Sequence, residues 1–477
     1  MHNTSMNSFM INKLTNGTAI WWFAMISSIL SLFLCVFANL NNQVSILYLM
    51  PLTYMVSLWI LSDMFRKMGL AFSIIQIIMF LRYVVTPVLW AFTPVYHGVS
   101  IGGQDYNLSV KLICYECIVT VIAMFWWQKK YGAKLVAPNF VEIRKPSLIS
   151  LGVILMFLSI ITNPMFFRKL FMTSVITAAE SAEITFHDTA ASGVQIVFFS
   201  VGLFFLMQSV ISFIYYSYLT HSAKKFWIAL TCLLYLSCTW SYGAGVSRWN
   251  MMISVLIGLY SIILLFPKSK NSTYIVGAFA VALVVIGGSV LKLVSFGEAN
   301  VGVSDATNYY FNAEYFDEYF SGIGPVANGI YVSKRVESSV VRMFVDLFNA
   351  FPLALKTFGL QDESVSNQFF REMTGRYDLI MPNITISLLE FGWFFSPLYS
   401  VLLAVLALYF DKKRKETTMF NRKVYYIIPT FWCAIFMAVN VNIVNPRIWD
   451  PLIGICLFGL EDYFFTSSNS IYISQEE

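Results

Sequence analysis

Twelve apolar runs, most of them close to the roughly 20 residues that a helix needs to cross a bilayer, leave this chain few folds to choose from. They lie at about 19–38, 44–62, 69–92, 108–127, 147–164, 193–219, 226–241, 249–266, 273–293, 385–410, 424–441 and 451–466. In hydrocarbon every backbone N–H and C=O must find its partner inside the segment, so each run is expected to be a helix. Composition agrees: 58% of residues are hydrophobic and only 12% are charged, against about 25% charged in an average soluble domain. The expected fold is an all-α polytopic membrane protein. The first run is long, lacks a small-residue cleavage site and is followed at once by further spans, so it reads as a span and not as a signal peptide.

Basic residues in the loops give the orientation, because short cytoplasmic loops hold an excess of Lys and Arg. One alternate set of loops carries Arg66 and Lys67, then Lys129, Lys130, Lys134, Arg144 and Lys145, then Lys224 and Lys225, then Lys268 and Lys270, and last Lys412, Lys413, Arg414, Lys415, Arg422 and Lys423. The opposite short loops carry only Arg168, Lys169, Arg248 and Arg447. Both termini are therefore expected in the cytoplasm. The net charge of +5 is accounted for by this segregation, and nucleic acid is not implied as a partner.

Spans 1 to 9 occupy residues 1–293 and spans 10 to 12 occupy 385–477, leaving a polar stretch at 294–384 that faces outward. Loops of such length without a transmembrane pattern are usually functional or disordered. Residues 305–320 alternate acids with Tyr309, Tyr310, Phe311, Tyr315, Phe316, Tyr319 and Phe320, a mixture that suits sugar rings and also suits a membrane interface. Residues 335–350 place Val341, Phe344, Val345 and Phe348 at helical spacing, with Arg335, Ser339, Arg342, Asp346 and Asn349 as a polar stripe. An amphipathic helix over the membrane face is expected, either as a structural lid or as a device that aims Arg335 and Arg342 inward. The end of the stretch carries Arg371, Glu372, Gly375, Arg376 and Asp378 before Pro382 and Asn383.

A charge within a span costs several kcal/mol unless it faces a partner or a cavity. Arg82 of the third run and Glu116 of the fourth would form a structural ion pair if these spans are antiparallel neighbours. Lys292, at the outer end of the ninth, is placed to snorkel. Glu390, about two turns into the tenth run, is harder to dismiss as structural. The turn Ser241 to Asn250 contains two glycines and Arg248 ahead of a helix N-terminus; phosphate binding and a lipid or capping contact are both open readings. Seven cysteines all fall in apolar runs, so no disulfide framework holds the loop, and Cys114-x-x-Cys117 lacks the second ligand pair that a metal site needs.

The Pro382-Asn383 pair followed by Leu388-Leu389-Glu390-Phe391-Gly392, together with the small-residue turn Gly243 to Arg248, resembles the Wzy-type O-antigen polymerases of the O-antigen polymerase and ligase superfamily. The resemblance covers roughly residues 240–450 and is one of layout more than of letters. It implies a GT-C-like glycosyltransferase of the bacterial inner membrane. Such an enzyme joins undecaprenyl-pyrophosphate-linked oligosaccharide repeat units on the outer face, as in lipopolysaccharide biosynthesis. The ligase branch carries a histidine shortly before the Leu-rich helix; this chain has Met381-Pro382-Asn383 there and no histidine in the long loop.

The implied chemistry needs no metal or cofactor, since arginine forks match the oxygens of a departing pyrophosphate. Arg248, Arg342, Arg376 and Arg447, with Arg335 behind them, are the candidate donor-binding residues. Glu390, Asp378 and Glu372 are the candidate bases for the acceptor hydroxyl, a role usually worth about 10²–10⁴-fold. Partners would be the lipid-linked oligosaccharide, membrane lipid and, as a candidate, a chain-length regulator. A lipid-linked oligosaccharide flippase or transporter is the alternative in a different class, expected to use paired halves or broken helices.

Overall fold

A computed structural model of the chain describes residues 2–41, 43–95, 104–132, 140–144, 149–162, 192–222, 224–237, 248–269, 313–336, 380–464 and 470–474, with a few isolated residues between them. The chain is mostly helical, and three helices, Gly17–Phe37, Leu70–Ala91 and Tyr106–Tyr131, are long and apolar enough to cross a membrane. The first belongs to α1 (His2–Phe37), which turns Trp22, Phe23, Ile26, Leu30 and Phe33 outward, as a lipid-facing helix would. It packs on α2 (Leu49–Ile60), which in turn packs on α6 (Tyr106–Tyr131). The short α3 (Ser62–Arg66) connects α2 to the second long helix.

That second helix is built from α4 (Leu70–Phe80), a π-helical turn at Leu81–Val85, and α5 (Thr86–Ala91). Pro87 explains the turn: it has no N–H to donate and its ring crowds the preceding turn, so the chain widens by one residue. Thr86 then closes an i to i−5 bond through its N–H to Leu81 O, backed by its hydroxyl at 3.0 Å. The widened turn carries Arg82 into the interior, 1% exposed.

Beyond α6 the chain runs through β1 (Phe140–Arg144), α7 (Ile149–Thr162), α8 (Ser192–Thr220), α9 (Lys224–Ser237) and α10 (Arg248–Leu265). The ninth apolar run, with Lys292, falls outside the described residues apart from isolated positions. Two short helices follow within the polar stretch, α11 (Ala313–Tyr319) and α12 (Ile323–Ser333). Of the expected amphipathic helix at 335–350, Arg335 and Val336 form a turn after α12 ends at Ser333, while Met343 and Phe344 are helical, Met343 against the core and Phe344 exposed. In α12 itself Ile323 to Ile330 are buried all round against α6 and the segment after Pro382. Most of 337–350 lies outside the described residues.

The last two regions also depart from three straight spans. Residues 385–410 form two helices, α13 (Asn383–Phe391) and α14 (Leu398–Glu416), separated by a bend. The runs at 424–441 and 451–466 become α15 (Phe420–Tyr425), α16 (Ile427–Ala434) and one long α17 (Val441–Phe464). Arg447 therefore sits within α17 and not in an outward turn.

A two-stranded antiparallel sheet pairs β1 with β2 (Ser470–Ser474), Phe140 opposite Ser474 and Arg144 opposite Ser470. Glu142 also donates its N–H to Thr418 O at 2.9 Å and bridges Met419. The tail, the α14–α15 connection and the segment after α6 thus meet at one end of the bundle. At the other end Leu40 N bonds Ala91 O (2.7 Å), Asn41 Nδ2 bonds Thr93 O (2.8 Å), and Gln104 Nε2 bonds Asn328 of α12.

Candidate functional site

The bend between α13 and α14 is set by residue chemistry. Gly392 takes φ +77° with ψ −177°, a region essentially confined to glycine that costs a side chain about 1–3 kcal/mol. Its N–H still reaches Leu388 O at 2.9 Å, and Leu398 N returns to Phe395 O at 2.9 Å. The carbonyl of Phe394 accepts from Tyr115 Oη of α6 at 2.9 Å. Non-helical backbone at membrane depth is tolerated when its polar groups are met in this way.

Folding back at the bend lays the start of α14 beside α13. Tyr399 N donates to Ser387 Oγ at 3.2 Å, and the Tyr399 phenol donates to Glu390, whose side chain is 2% exposed. The next residue, Ser400, donates its hydroxyl to Glu116 of α6, and Glu116 accepts from Arg82 Nη1 at 2.8 Å. Consecutive residues of α14 thus each supply one hydroxyl to a buried carboxylate. Glu116 lies ten residues into α6, about 15 Å from its start, which is half the thickness of a bilayer core of roughly 30 Å. The expected pairing of Arg82 with Glu116 is present, both 1% exposed.

Above the hairpin the start of α13 is clamped. Pro382, extended at φ −61° and ψ 146°, supplies no cap. Asn383 instead turns its side chain sideways, donating through Nδ2 to Phe436 O (2.5 Å) and Val439 O (3.0 Å) and accepting from Val441 N (2.6 Å). Asn440 reciprocates, donating to Met381 O at 3.1 Å while its Oδ1 caps α17 by accepting from Ile443 N at 3.1 Å. Two asparagines therefore satisfy the backbone groups freed where α16 stops and α17 begins.

Arg447 leaves this junction two turns down α17. Its Nη1 donates to Ile443 O at 2.7 Å, and its guanidinium stacks 4.3 Å from the centre of the Trp432 ring. Arg335 lies just past α12, exposed, 4.1 Å over the Tyr331 ring. Glu372 is exposed on a short helical piece. Arg248 opens α10, but its side chain, like Arg342, Arg376 and Asp378, lies outside the described residues. Of the eight candidates, Glu390 lies at the far end of α13 and Arg447 about two turns into α17, the two helices whose starts the asparagine clamp joins.

Asp317 was not singled out in the sequence. It is fully buried in α11, where its Oδ1 and Oδ2 accept from the N–H groups of Ile323 (2.7 Å) and Gly324 (2.8 Å), the first amides of α12. Burial pushes its carboxyl up to about 7, against the downward pull of those amides and of Trp90. The aromatics beside it pack on each other, Phe316 on Phe320 with ring centres 4.7 Å apart and Tyr315 on Tyr319 at 6.2 Å. A run of acids among rings was the signal, and it marks a capped helix here. Cys114 and Cys117 are buried in α6, and among the described residues no three His, Cys, Asp or Glu side chains gather as a metal site requires.

Compared with family models, curated proteins and solved structures, the chain matches none.

Proposed function

We propose that the chain is a glycosyltransferase of the inner membrane that polymerises undecaprenyl-pyrophosphate-linked oligosaccharide repeat units, an O-antigen polymerase of GT-C-like, twelve-span design. The observation that carries this reading is the burial of Glu390 at the α13–α14 bend, with the Tyr399 phenol on its carboxylate and the Pro382-Asn383 junction above it. A carboxylate kept at membrane depth costs several kcal/mol, and a buried carboxylate positioned by the Tyr399 phenol is suited to a base that takes a proton from an acceptor hydroxyl. Arg447, on the first turns of α17, would contact the leaving pyrophosphate, with Arg248, Arg342 and Arg376 as further donor contacts. Meeting of β1, Thr418 and β2 at one end supports the same-side assignment of those three segments, which the basic loops put in the cytoplasm.

Purified protein incubated with lipid-linked repeat units should give a ladder of products. Glu390→Gln should leave repeat units unjoined, and Arg447→Ala should lower the rate by 10-fold or so, as expected for a lost charge-assisted contact. A ladder of normal length from Glu390→Gln would sink the assignment of the base. A flippase is the second reading, favoured by the discontinuous α13–α14 and α16–α17, because transporters build substrate sites from broken helices. In the same assay it would give movement of the lipid across a vesicle without a ladder, and transfer to lipid A core would indicate a ligase.

A further inference from the structure

The end of the bundle opposite the asparagine clamp carries charges that the proposed chemistry does not use. Asp411, in the last turns of α14, is 4% exposed and has both oxygens occupied. Arg414 Nε and Nη2 donate to Oδ1 at 3.0 and 2.7 Å, and Lys415 Nζ lies 3.3 Å from Oδ2. The remaining guanidinium nitrogen of Arg414 donates to the Tyr260 hydroxyl of α10, and the guanidinium also lies 4.7 Å over that ring. Glu416, the next acid along, is shared between Lys412 (3.5 Å) and Lys413 (3.6 Å).

Lys423 of α15 packs into this cluster with no acid of its own. It is 6% exposed, and among the described residues the one hydrogen bond of its ammonium is a 3.5 Å contact to the Lys415 carbonyl. An ammonium has three donors, so at least two are unmet. Burial, and then the charge of Arg414, push it down to about 8. Arg414, Lys415 and Lys423 stand against the single carboxylate of Asp411, an excess of two positive charges in a nearly closed space. Lys415, 26% exposed at its side chain, is the member of the group open to the outside.

We propose that Lys423 and Lys415 bind a phosphate group. Depth narrows its source. Ser400 sits level with Glu116 near the middle of the bilayer, and fifteen residues of α14 at 1.5 Å each put Lys415 about 22 Å further along. Half a hydrocarbon core is about 15 Å, so the two ammonium groups lie at headgroup level. An anionic phospholipid headgroup and a free phosphate anion share this chemistry, and the lipid has the shorter path. The inference rests on the chain spanning the membrane and not on its catalysing glycan transfer.

The test is a thermal unfolding titration of the full chain in a neutral detergent, with native mass spectrometry of the retained lipid. Phosphatidylglycerol, phosphatidylcholine and inorganic phosphate are the probes. The expected result is a rise in unfolding temperature with phosphatidylglycerol, little with phosphatidylcholine, and at least about 10-fold weaker phosphatidylglycerol binding by Lys423→Gln, the usual loss for a charge-assisted contact. Without lipid, Lys423→Gln should be at least as stable as the parent, because an uncompensated charge is gone. Lys413→Gln, half-exposed and paired with Glu416, should respond as the parent does. If inorganic phosphate alone reproduces the rise, and Lys423→Gln abolishes it, the ligand is a free phosphate. Equal lipid responses from the parent and Lys423→Gln overturn the site, as does a parent that none of the probes stabilises. Should Lys423→Gln fail to fold, Lys415→Gln reads out the same loss.

Discussion

Removing one member of the Arg82–Glu116 pair should cost far more than removing both. At 2.8 Å the attraction is about 6 kcal/mol for an effective dielectric of 20, while withdrawing each ion from water costs several kcal/mol, so the intact pair contributes little net stability. Losing a partner is different, because the survivor stays buried. Among the described residues, Arg82 Nε and Nη2 have no hydrogen-bond partner, so Glu116 is the group that compensates this guanidinium. Glu116→Leu should therefore destabilise by roughly 3–5 kcal/mol, and Arg82→Met by a similar amount, leaving Glu116, among the described residues, with the Ser400 hydroxyl alone. The double variant Arg82→Met, Glu116→Leu fills the space with apolar atoms and should lie within about 1 kcal/mol of the parent or above it.

Reversible unfolding of the detergent-solubilised protein, with membrane insertion checked for each variant, gives the three free energies and hence the coupling. Expected is a double variant more stable than either single one by more than about 2 kcal/mol. Costs that simply add would refute the reasoning, since they would mean that the two side chains stabilise through separate contacts.

Three further outcomes follow from single contacts. Gly329→Ala places a Cβ 2.4 Å from Thr385 Oγ1 across the α12–α13 contact, which should cost about 1–3 kcal/mol; adding Thr385→Gly should recover most of it in the same unfolding assay. Asn383→Ala strands two carbonyls and one N–H at the clamp, for roughly 2–5 kcal/mol, and Asn383→Asp should be worse because a carboxylate would face the carbonyls of Phe436 and Val439. Asp317, held up to about 7, keeps its proton in the native state over a range where an unfolded aspartate has lost it. The native state thus binds more protons between about pH 4 and 7, and its stability should fall as pH rises through that window. Asp317→Asn should be flat there in unfolding free energy and, at pH 5, weaker by about 1–3 kcal/mol for the one amide left without an acceptor.

Hydropathy located most described helices, because a membrane segment announces itself through its own side chains. Gly17–Phe37, Leu70–Ala91 and Tyr106–Tyr131 fall close to their apolar runs. The breaks were less legible. The stretch with Arg447 between the last two apolar runs reads as a short outward loop, yet α17 runs through it, and through Pro446 and Pro451, from Val441 to Phe464; prolines are tolerated within membrane helices when neighbours meet the freed carbonyls. In α12, Gly322, Gly324, Pro325 and Gly329 hid a buried helix, since Pro325 sits in the first turn, where its missing N–H costs nothing. Gly329 is needed for the approach to Thr385, a contact that no periodicity contains.

The site was legible in part for the same reason. An acid inside an apolar run is visible without any neighbour, and Glu390 and Glu116 stood out on that ground. What they meet comes from residues distant in sequence or ordinary in kind: Ser400 lies 284 positions from Glu116, and Tyr399 reaches Glu390 only because Gly392 turns the chain back. The bend thus serves two ends, closing the hairpin on Glu390 and presenting Ser400 to the Arg82–Glu116 pair. It follows that the ion pair and the proposed base share one support. Loosening Glu116 should disturb Glu390 through the Ser400–Tyr399 step of α14, whereas loosening Arg447, on the far side of the asparagine clamp, should leave the Tyr399–Glu390 contact in place.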